Sequence, residues 1–212
     1  MGSKGPTYKV QFKRRREGKT DYNLRRELIK SDKPRLVVRG SLKHMSVQIV
    51  EAKPGGDHTL AVANSIELVK KYKWLGGCGN LPAAYLTGLM AGYRASSKGV
   101  KEAVLDFGLS TSSKGSRVSA ALKGVIDSGI TVPFNAKIMP DKSRIAGEHI
   151  ATYAKKLAAS IPETYQRFFA NYISRKLKPE SLPEHFKEVQ DKISQQEVPK
   201  IKGVKDVTKG SS

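Results

Sequence analysis

Residues 35–63 of this chain carry three strand signals, one of which alternates apolar and polar residues in the way that a half-buried strand requires. The clearest case is residues 45–50 (MSVQIV), where the two classes alternate at a period of two. Residues 35–39 and 59–63 are predicted as strands on either side, and a turn over residues 54–57 separates the second strand from the third. Because the links are short, the three strands are predicted to form an antiparallel meander.

Helix and strand signals alternate along the next hundred residues. The predicted helices are 22–31, 65–72, 80–97, 116–128 and 143–159, and the predicted strands are 102–108 and 130–132. Thr20 or Asp21 is expected to cap the first helix, because these side chains accept hydrogen bonds from free backbone N–H groups. Ser65 and Asn80 are expected to cap the next two. This order predicts an α/β fold, a mixed sheet flanked by helices with ribonuclease-H-like strand order.

Two further amphipathic helices are predicted over residues 163–177 and 183–194. The first carries an apolar stripe that is expected to pack against the sheet domain. Its members are Phe168, Phe169, Tyr172, Ile173 and Leu177. Residues 200–212 are expected to be disordered. The predicted domains are a basic arm with a short helix (1–34), the α/β core (35–159) and a C-terminal helical extension with its tail (160–212).

A strongly basic composition adds a functional expectation to this fold. The 212 residues include 39 Lys or Arg against 19 Asp or Glu, a formal net charge of +20. Such an excess favours a polyanionic partner. Residues 1–40 hold 13 basic and 4 acidic residues, whereas residues 178–212 hold 7 and 6. The densest polyanion site is therefore predicted near the start of the chain, and the last segment is a poor candidate.

Other classes of site find little support in the sequence. Cys78 is the only cysteine and the four histidines are scattered, which excludes an intrachain disulfide and leaves no ligand spacing for zinc. No apolar run approaches the ~18 residues of a membrane span, and no signal-peptide core is visible, so a cytoplasmic location is expected. The loop 76–79 (GGCG) is predicted to be a flexible turn rather than a redox or nucleotide site. No metal or cofactor is expected.

The segment 8–22 combines four consecutive cations, at residues 13–16, with aromatic residues. This mixture suits RNA, because cations neutralise phosphates while aromatic rings stack on bases or sugars. For Tyr8, Phe12 and Tyr22, packing of the arm onto the protein is the alternative. The residues predicted to contact RNA here and along the following helix are Tyr8, Lys9, Phe12, Lys13, Arg14, Arg15, Arg16, Lys19, Thr20, Tyr22, Arg25 and Arg26.

Two smaller groups of cations are further candidates for RNA contacts. Arg35 and Arg39 share one face of the first strand and can present a basic row to RNA, with a solvated face as the alternative. The loop 111–117 carries Lys114 and Arg117 ahead of a predicted helix, whose N–H groups attract phosphate. An ordinary loop is the alternative there, because the order of its Gly, Lys and Ser residues does not match a nucleotide P-loop.

Five segments, in their order and spacing, resemble the L-eighteen family of large-subunit ribosomal proteins. They are RRREGKTDY (14–22), PRLVVR (34–39), PAAYLTG (82–88), LDFGL (105–109) and KGVIDSG (123–129). The resemblance covers residues 8 to about 160, and the additional C-terminal helices resemble the archaeal form. It implies a structural constituent of the large ribosomal subunit, with no catalysis.

The same resemblance implies the partners of the chain. Members of the family bind 5S rRNA. The expected role is to link 5S rRNA to 23S rRNA and to the other 5S-associated ribosomal proteins in the central protuberance. Neither a membrane nor a small-molecule substrate is implied.

Two alternatives to a ribosomal role follow from the same sequence. A ribonuclease-H-like nuclease holds two metal ions with several carboxylates, one of them on the first strand, yet residues 35–50 contain none. That leaves Asp106 and Glu67, and Asp106 is expected to cap a backbone amide or pair with a cation. A free-standing RNA chaperone would share the arm and the charge, but the ordered family motifs favour a resident ribosomal protein.

Overall fold

A four-stranded mixed sheet organises the computed structural model of this protein, which describes residues 5–111 and 113–197. Its strands are β1 (Arg35–Gly40), β2 (Met45–Lys53), β3 (Gly56–Asn64) and β4 (Val104–Asp106). They lie in the order β3-β2-β1-β4, with β1–β2 and β2–β3 antiparallel and β1–β4 parallel. The predicted meander and the mixed sheet with ribonuclease-H-like strand order are therefore confirmed.

Ten α-helices accompany the sheet in the described part of the chain. They are α1 (Lys13–Arg16), α2 (Tyr22–Lys30), α3 (Ser65–Tyr72), α4 (Leu81–Ser96), α5 (Arg117–Asp127), α6 (Lys142–Ala146), α7 (Glu148–Ser160), α8 (Pro162–Phe168), α9 (Ala170–Ser174) and α10 (Leu182–Glu197). Short 3₁₀ turns occupy Ala136–Ile138 and Pro179–Ser181. No helix among these residues is long and apolar enough to cross a membrane.

The alternation of each strand separates a buried inner face from a more polar outer face. Leu36 and Val38 of β1, with Val47 of β2, are fully buried in the core beneath α4 and α5. The two helices approach each other closely through glycine. A Cβ added at Gly88 would lie 2.0 Å from the carbonyl oxygen of Ala121, and one at Gly124 would lie 2.2 Å from that of Tyr85.

Helix caps match the sequence at α2 and α4 and differ at α3. Asp21 accepts from two N–H groups of α2, and Asn80 accepts from the Ala83 N–H of α4. At α3 the cap is Asn64, one residue before the predicted Ser65, because the Asn64 side chain accepts from the Ile66 N–H. The Ser65 hydroxyl instead accepts from the Met45 N–H and so ties α3 to the start of β2.

Two predicted elements are shorter or broken in the structure. The strand predicted over 130–132 is reduced to a single bridge between Glu102 and Thr131, so the sheet has four strands. The helix predicted over 143–159 is interrupted at Gly147, whose φ of +88° ends α6 and starts α7. A side chain there would also press on Leu182, its Cβ 3.0 Å from the Leu182 Cδ2 atom.

The C-terminal helices pack against the rest of the protein through only part of the predicted apolar stripe. The helix expected over 163–177 divides into α8 and α9 at Phe169. Because of that break, Phe169 and Leu177 are buried, whereas Phe168 and Ile173 of the same predicted stripe are exposed. The last helix, α10, adds Leu182, Phe186, Val189 and Ile193 to the main core. Residues 200–212 lie outside the described part of the chain.

Candidate nucleic-acid interface

The basic arm presents its cations to solvent on one helical turn. Residues 13–16 form α1, because the Arg15 and Arg16 N–H groups donate to the Phe12 carbonyl oxygen. All four cations of α1 are exposed. Arg14 donates to the Thr20 hydroxyl at 2.9 Å. Within the described residues, the guanidinium groups of Arg15 and Arg16 make no hydrogen bond or ion pair, so they are available to a ligand.

The aromatic residues of the arm are divided between exposure and local packing. Phe12 is 71% exposed, and its ring centroid lies 5.2 Å from that of Tyr22, with the planes tilted by 49°. Tyr22 is half-buried and Tyr8 is exposed. Phe12 therefore uses part of its surface to hold the arm against α2 while leaving most of it accessible.

Helix α2 is attached to the sheet through Asp57, whose carboxylate pairs with one arginine from the helix and one from β1. The Arg25 Nη2 atom lies 2.8 Å from Asp57 Oδ2, and the Arg35 Nη2 atom lies 2.7 Å from the same oxygen. Between helix and sheet is a cleft of about 330 Å³ whose lining includes Arg14, Lys19 and Arg39. The arm, α2 and the sheet together form one basic surface.

The predicted basic row on β1 does not form, because Arg35 is buried. Its side chain is 5% exposed and pairs with Asp57 and with Asp106, whose Oδ2 atom lies 3.1 Å from Arg35 Nη1. Arg39 is about half exposed and also contacts Asp106, at 2.8 Å. Of the two strand arginines, only Arg39 has accessible surface in the free protein. Arg35 serves to hold the sheet, the β2–β3 turn and α2 together.

The carboxylates that a nuclease would use are occupied by protein groups. Asp106 accepts from the Gly108 backbone N–H at 2.9 Å in addition to its two arginines. Glu67 completes the cap of α3 and pairs with Arg94 at 3.0 Å. Over residues 5–111 and 113–197, no cluster of three or more His, Cys, Asp or Glu side chains is arranged to hold a metal ion. The expected capping and pairing role of Asp106 is confirmed.

Of the two cations in the loop before α5, one is bound to the protein backbone and the other is exposed to solvent. Arg117 is half-buried and donates to the carbonyl oxygens of Ser41 and Gly79, at 2.8 and 3.1 Å. Lys114 is exposed. Ser116 caps α5 by accepting from the Ser119 N–H. Lys114 is therefore the accessible cation of this loop.

The glycine-rich loop is held in place by the neighbouring Trp74 and by the distant Arg175. Trp74 Nε1 donates to the Gly77 carbonyl oxygen at 3.2 Å, and Arg175 donates to that of Gly76 at 3.0 Å. A Cβ at Gly79 would lie 2.7 Å from the Leu42 carbonyl oxygen. Burial raises the pKa of the Cys78 thiol, against a smaller opposing effect of Arg175. A protonated, buried thiol is a poor nucleophile.

A polar network that the sequence did not reveal attaches the end of α10 to α3 and α4. Arg94 lies 2.7 Å from Glu197 and 3.0 Å from Glu67, and the Tyr72 hydroxyl donates to Glu197 at 2.7 Å. Burial alone would raise the pKa of both carboxyl groups. Hydrogen bonds from Arg94 and Lys71 lower the pKa of Glu67, and hydrogen bonds from Arg94 and Tyr72 lower that of Glu197. Arg94 and Glu197 are 103 residues apart, and Arg25 and Asp57 are 32 residues apart. Pairs so far apart leave no local signal in the sequence.

The protein is a basic α/β scaffold with an exposed cationic arm, and its described part contains no free carboxylate cluster. These features define the class of polyanion-binding proteins. A family model described as "Ribosomal large subunit proteins 60S L5, and 50S L18" matches residues 6–101 and 94–135. The chain is 53% identical over 191 residues to "Large ribosomal subunit protein uL18" of Staphylothermus marinus, covering 90% of this chain and 95% of that protein. It is also 53% identical over 193 residues to the protein of the same name from Caldivirga maquilingensis, covering 91% and 93%.

The chain belongs to this family of large-subunit ribosomal proteins, in its archaeal form. Its role is accordingly structural rather than enzymatic, and its place is the cytoplasmic ribosome. The resemblance carried by the five sequence segments is thereby confirmed.

Proposed function

We propose that this protein binds 5S rRNA and links it to 23S rRNA and to neighbouring proteins in the central protuberance of the large subunit. The observation that carries the proposal is the arm, where four consecutive cations stand exposed beside aromatic rings. Family membership supports ribosomal RNA as the polyanionic partner proposed for this surface. The choice of 5S rRNA rests on the resemblance of the sequence motifs.

The accessible cations and rings divide the proposed contacts into two kinds. Phosphates are the proposed partners of the exposed cations Lys9, Lys13, Arg14, Arg15, Arg16, Lys19, Arg26, Arg39 and Lys114. Arginine can fork onto two phosphate oxygens or stack on a base, so the three arginines of α1 suit either contact. Stacking is proposed for the exposed rings of Tyr8 and Phe12 and for half-buried Tyr22.

The remaining predicted contacts have structural partners as well. Thr20 accepts from Arg14, Arg25 pairs with Asp57, and Arg117 donates to two backbone carbonyl oxygens. We propose that these three residues shape the surface and contact RNA with the donors that remain. The division of the chain into three parts, after residues 34 and 159, stays part of the proposal. In it the arm is the segment that becomes ordered when it binds RNA.

Binding to defined RNAs tests the proposal directly. The purified chain is titrated with labelled 5S rRNA at near-physiological salt, with and without excess tRNA. Binding that survives the tRNA competitor is expected. Equal affinity for the two RNAs would mean that the positive charge is generic and would overturn the 5S assignment. Addition of 23S rRNA to the preformed complex is then expected to give a ternary complex.

A further inference from the structure

Two arginines converge on a single carboxylate oxygen at the mouth of the cleft beneath α2. Arg25 reaches Asp57 Oδ2 from the helix, at 2.8 Å, and Arg35 reaches the same oxygen from β1, at 2.7 Å. Charge-assisted hydrogen bonds from several guanidinium groups to one oxygen are also how proteins hold a phosphate. The position of Asp57 Oδ2 is therefore a place where an anionic oxygen is stabilised.

The cleft holds more cations than its carboxylates can neutralise. Its lining contains five cations, Arg14, Lys19, Arg25, Arg35 and Arg39, against three acids, Asp21, Asp57 and Asp106. The Arg35 Nε atom is buried and has no hydrogen-bond partner among the described residues. A buried donor without an acceptor is unfavourable. Lys19 pairs at 2.9 Å with Glu17, which is not part of the lining, so one surplus cation and the unmatched donor indicate a site that is short of an acceptor.

Asp57 is attached where it can be displaced at low cost. It lies at the exposed tip of the β2–β3 hairpin, beside Gly55 and Gly56, and its side chain is about one third exposed. Arg35, by contrast, is fixed in the sheet by its second carboxylate, Asp106. Movement of the hairpin tip would release Asp57 while Arg35 stays in position.

We propose that Asp57 occupies, in the free protein, an anion site between Arg25 and Arg35 that accepts a backbone phosphate of RNA in the complex. The identity of this ligand rests on the proposed function. The exchange replaces one charge-assisted pair by another, so the two arginines keep an anionic partner throughout. In the free protein Asp57 holds α2 on the sheet, and in the complex the phosphate takes over that attachment.

The test compares two variants that each remove one negative charge from the same hairpin. D57N frees Arg25 and Arg35, whereas E51Q removes the carboxylate that pairs with Lys53 on β2. At fixed salt, D57N is expected to bind 5S rRNA about threefold or more tightly than E51Q, a gain of the size that an exposed ion pair allows. The R25Q change made on top of D57N is expected to cancel that gain. D57N binding equal to or weaker than that of E51Q would overturn the proposal.

A second measurement separates the site from the RNA. Inorganic phosphate is compared with chloride at matched ionic strength, and the melting temperature is recorded for D57N, E51Q and the wild-type protein. Phosphate is expected to raise the melting temperature of D57N by more than that of the other two. That result, with no wild-type binding to 5S rRNA, would keep the anion site but refute the RNA partner. No selective effect of phosphate would refute the site itself, whatever RNA is bound.

Discussion

Arg39 contacts Asp106 through both ends of its guanidinium group: Nη2 lies 2.8 Å from the carboxylate and Nη1 lies 2.7 Å from the backbone carbonyl oxygen of the same residue. With Arg35 on its other oxygen, Asp106 fastens β4 to β1 across the parallel edge of the sheet. The acid that a nuclease would offer to a metal here stabilises the fold on which the RNA surface is built.

Replacing Asp106 by alanine is expected to lower the free energy of unfolding by roughly 3–5 kcal/mol, because it leaves the buried Arg35 without its second carboxylate. Denaturant unfolding measures this loss. The control is E102A two positions before β4, whose carboxylate is about half exposed and pairs with Lys33. Only a small cost is expected for the control, because an exposed ion pair contributes little to stability. Equal costs for the two variants would contradict the role assigned to Asp106.

The close approach of α4 and α5 makes Gly88 intolerant of any side chain. A Cβ there would lie 2.0 Å from the Ala121 carbonyl oxygen, a backbone atom that cannot rotate away. G88A is expected to cost roughly 1–3 kcal/mol or more in unfolding free energy, as overpacked cores do. G55A, where a Cβ meets nothing within 4 Å, is expected to change stability by no more than about 0.5 kcal/mol. A G88A protein as stable as G55A would show that the two helices can separate freely.

The packing of α10 is expected to depend on pH through His185. Its ring stacks on Trp74, with centroids 5.1 Å apart, and its Nε2 atom accepts from the Leu75 N–H at 3.1 Å. An accepting Nε2 requires the neutral ring, and burial lowers the pKa of His185 despite the opposing effect of Glu188. Because the folded-state pKa lies below the unfolded value of about 6.5, the stabilisation is complete above that pH. It is lost as the pH falls towards the folded-state value.

H185F keeps a ring against Trp74 but has no acceptor and no proton to gain. It is expected to be less stable than the wild type at pH 7.5, by about 1–3 kcal/mol for the unmatched Leu75 N–H. Its stability should also fall less between pH 7.5 and 5.5. His149, whose pKa is lowered by burial and by Arg144, contributes to both proteins in that range, so the difference between the two curves isolates His185. Parallel curves would argue against the accepting role of Nε2.

RNA binding is expected to weaken steeply with salt, because the accessible contacts are dominated by cations. If about ten phosphates are neutralised, the logarithm of the association constant should fall against the logarithm of salt concentration with a slope of roughly −7 to −9. Titrations of 5S rRNA at four or five salt concentrations give the slope. A nearly flat dependence would rule out docking dominated by phosphates.

The features of this structure that depend on local sequence were predicted, whereas those that depend on long-range contacts were not. The period-two pattern of residues 45–50 placed β2, and the cap at Asn80 placed α4, because each signal lies within a few residues of its effect. Strand propensity at residues 130–132 could not reveal that only Thr131 finds a partner. The break at Gly147 likewise depends on Leu182, which is distant in sequence.

The candidate interface shows the same limit at the level of single side chains. Exposure of residues 13–16 follows from a segment with no apolar period, so the sequence was enough to find the arm. Arg35 and Arg39 are equivalent in the strand pattern, yet one is buried and the other exposed. What separates them is Asp57, which comes to Arg35 only when the β2–β3 hairpin folds and α2 lies over it.

The arm is the proposed main contact with 5S rRNA. The most direct test changes Arg14, Arg15 and Arg16 together to alanine, beside a control in which the exposed Lys178, Lys187 and Lys192 of the C-terminal segment are changed to alanine. Both variants lose three positive charges. Affinity for 5S rRNA in the presence of excess tRNA is expected to collapse in the arm variant and to change little in the control. Equal losses in the two variants, or none in the arm variant, would contradict the claim.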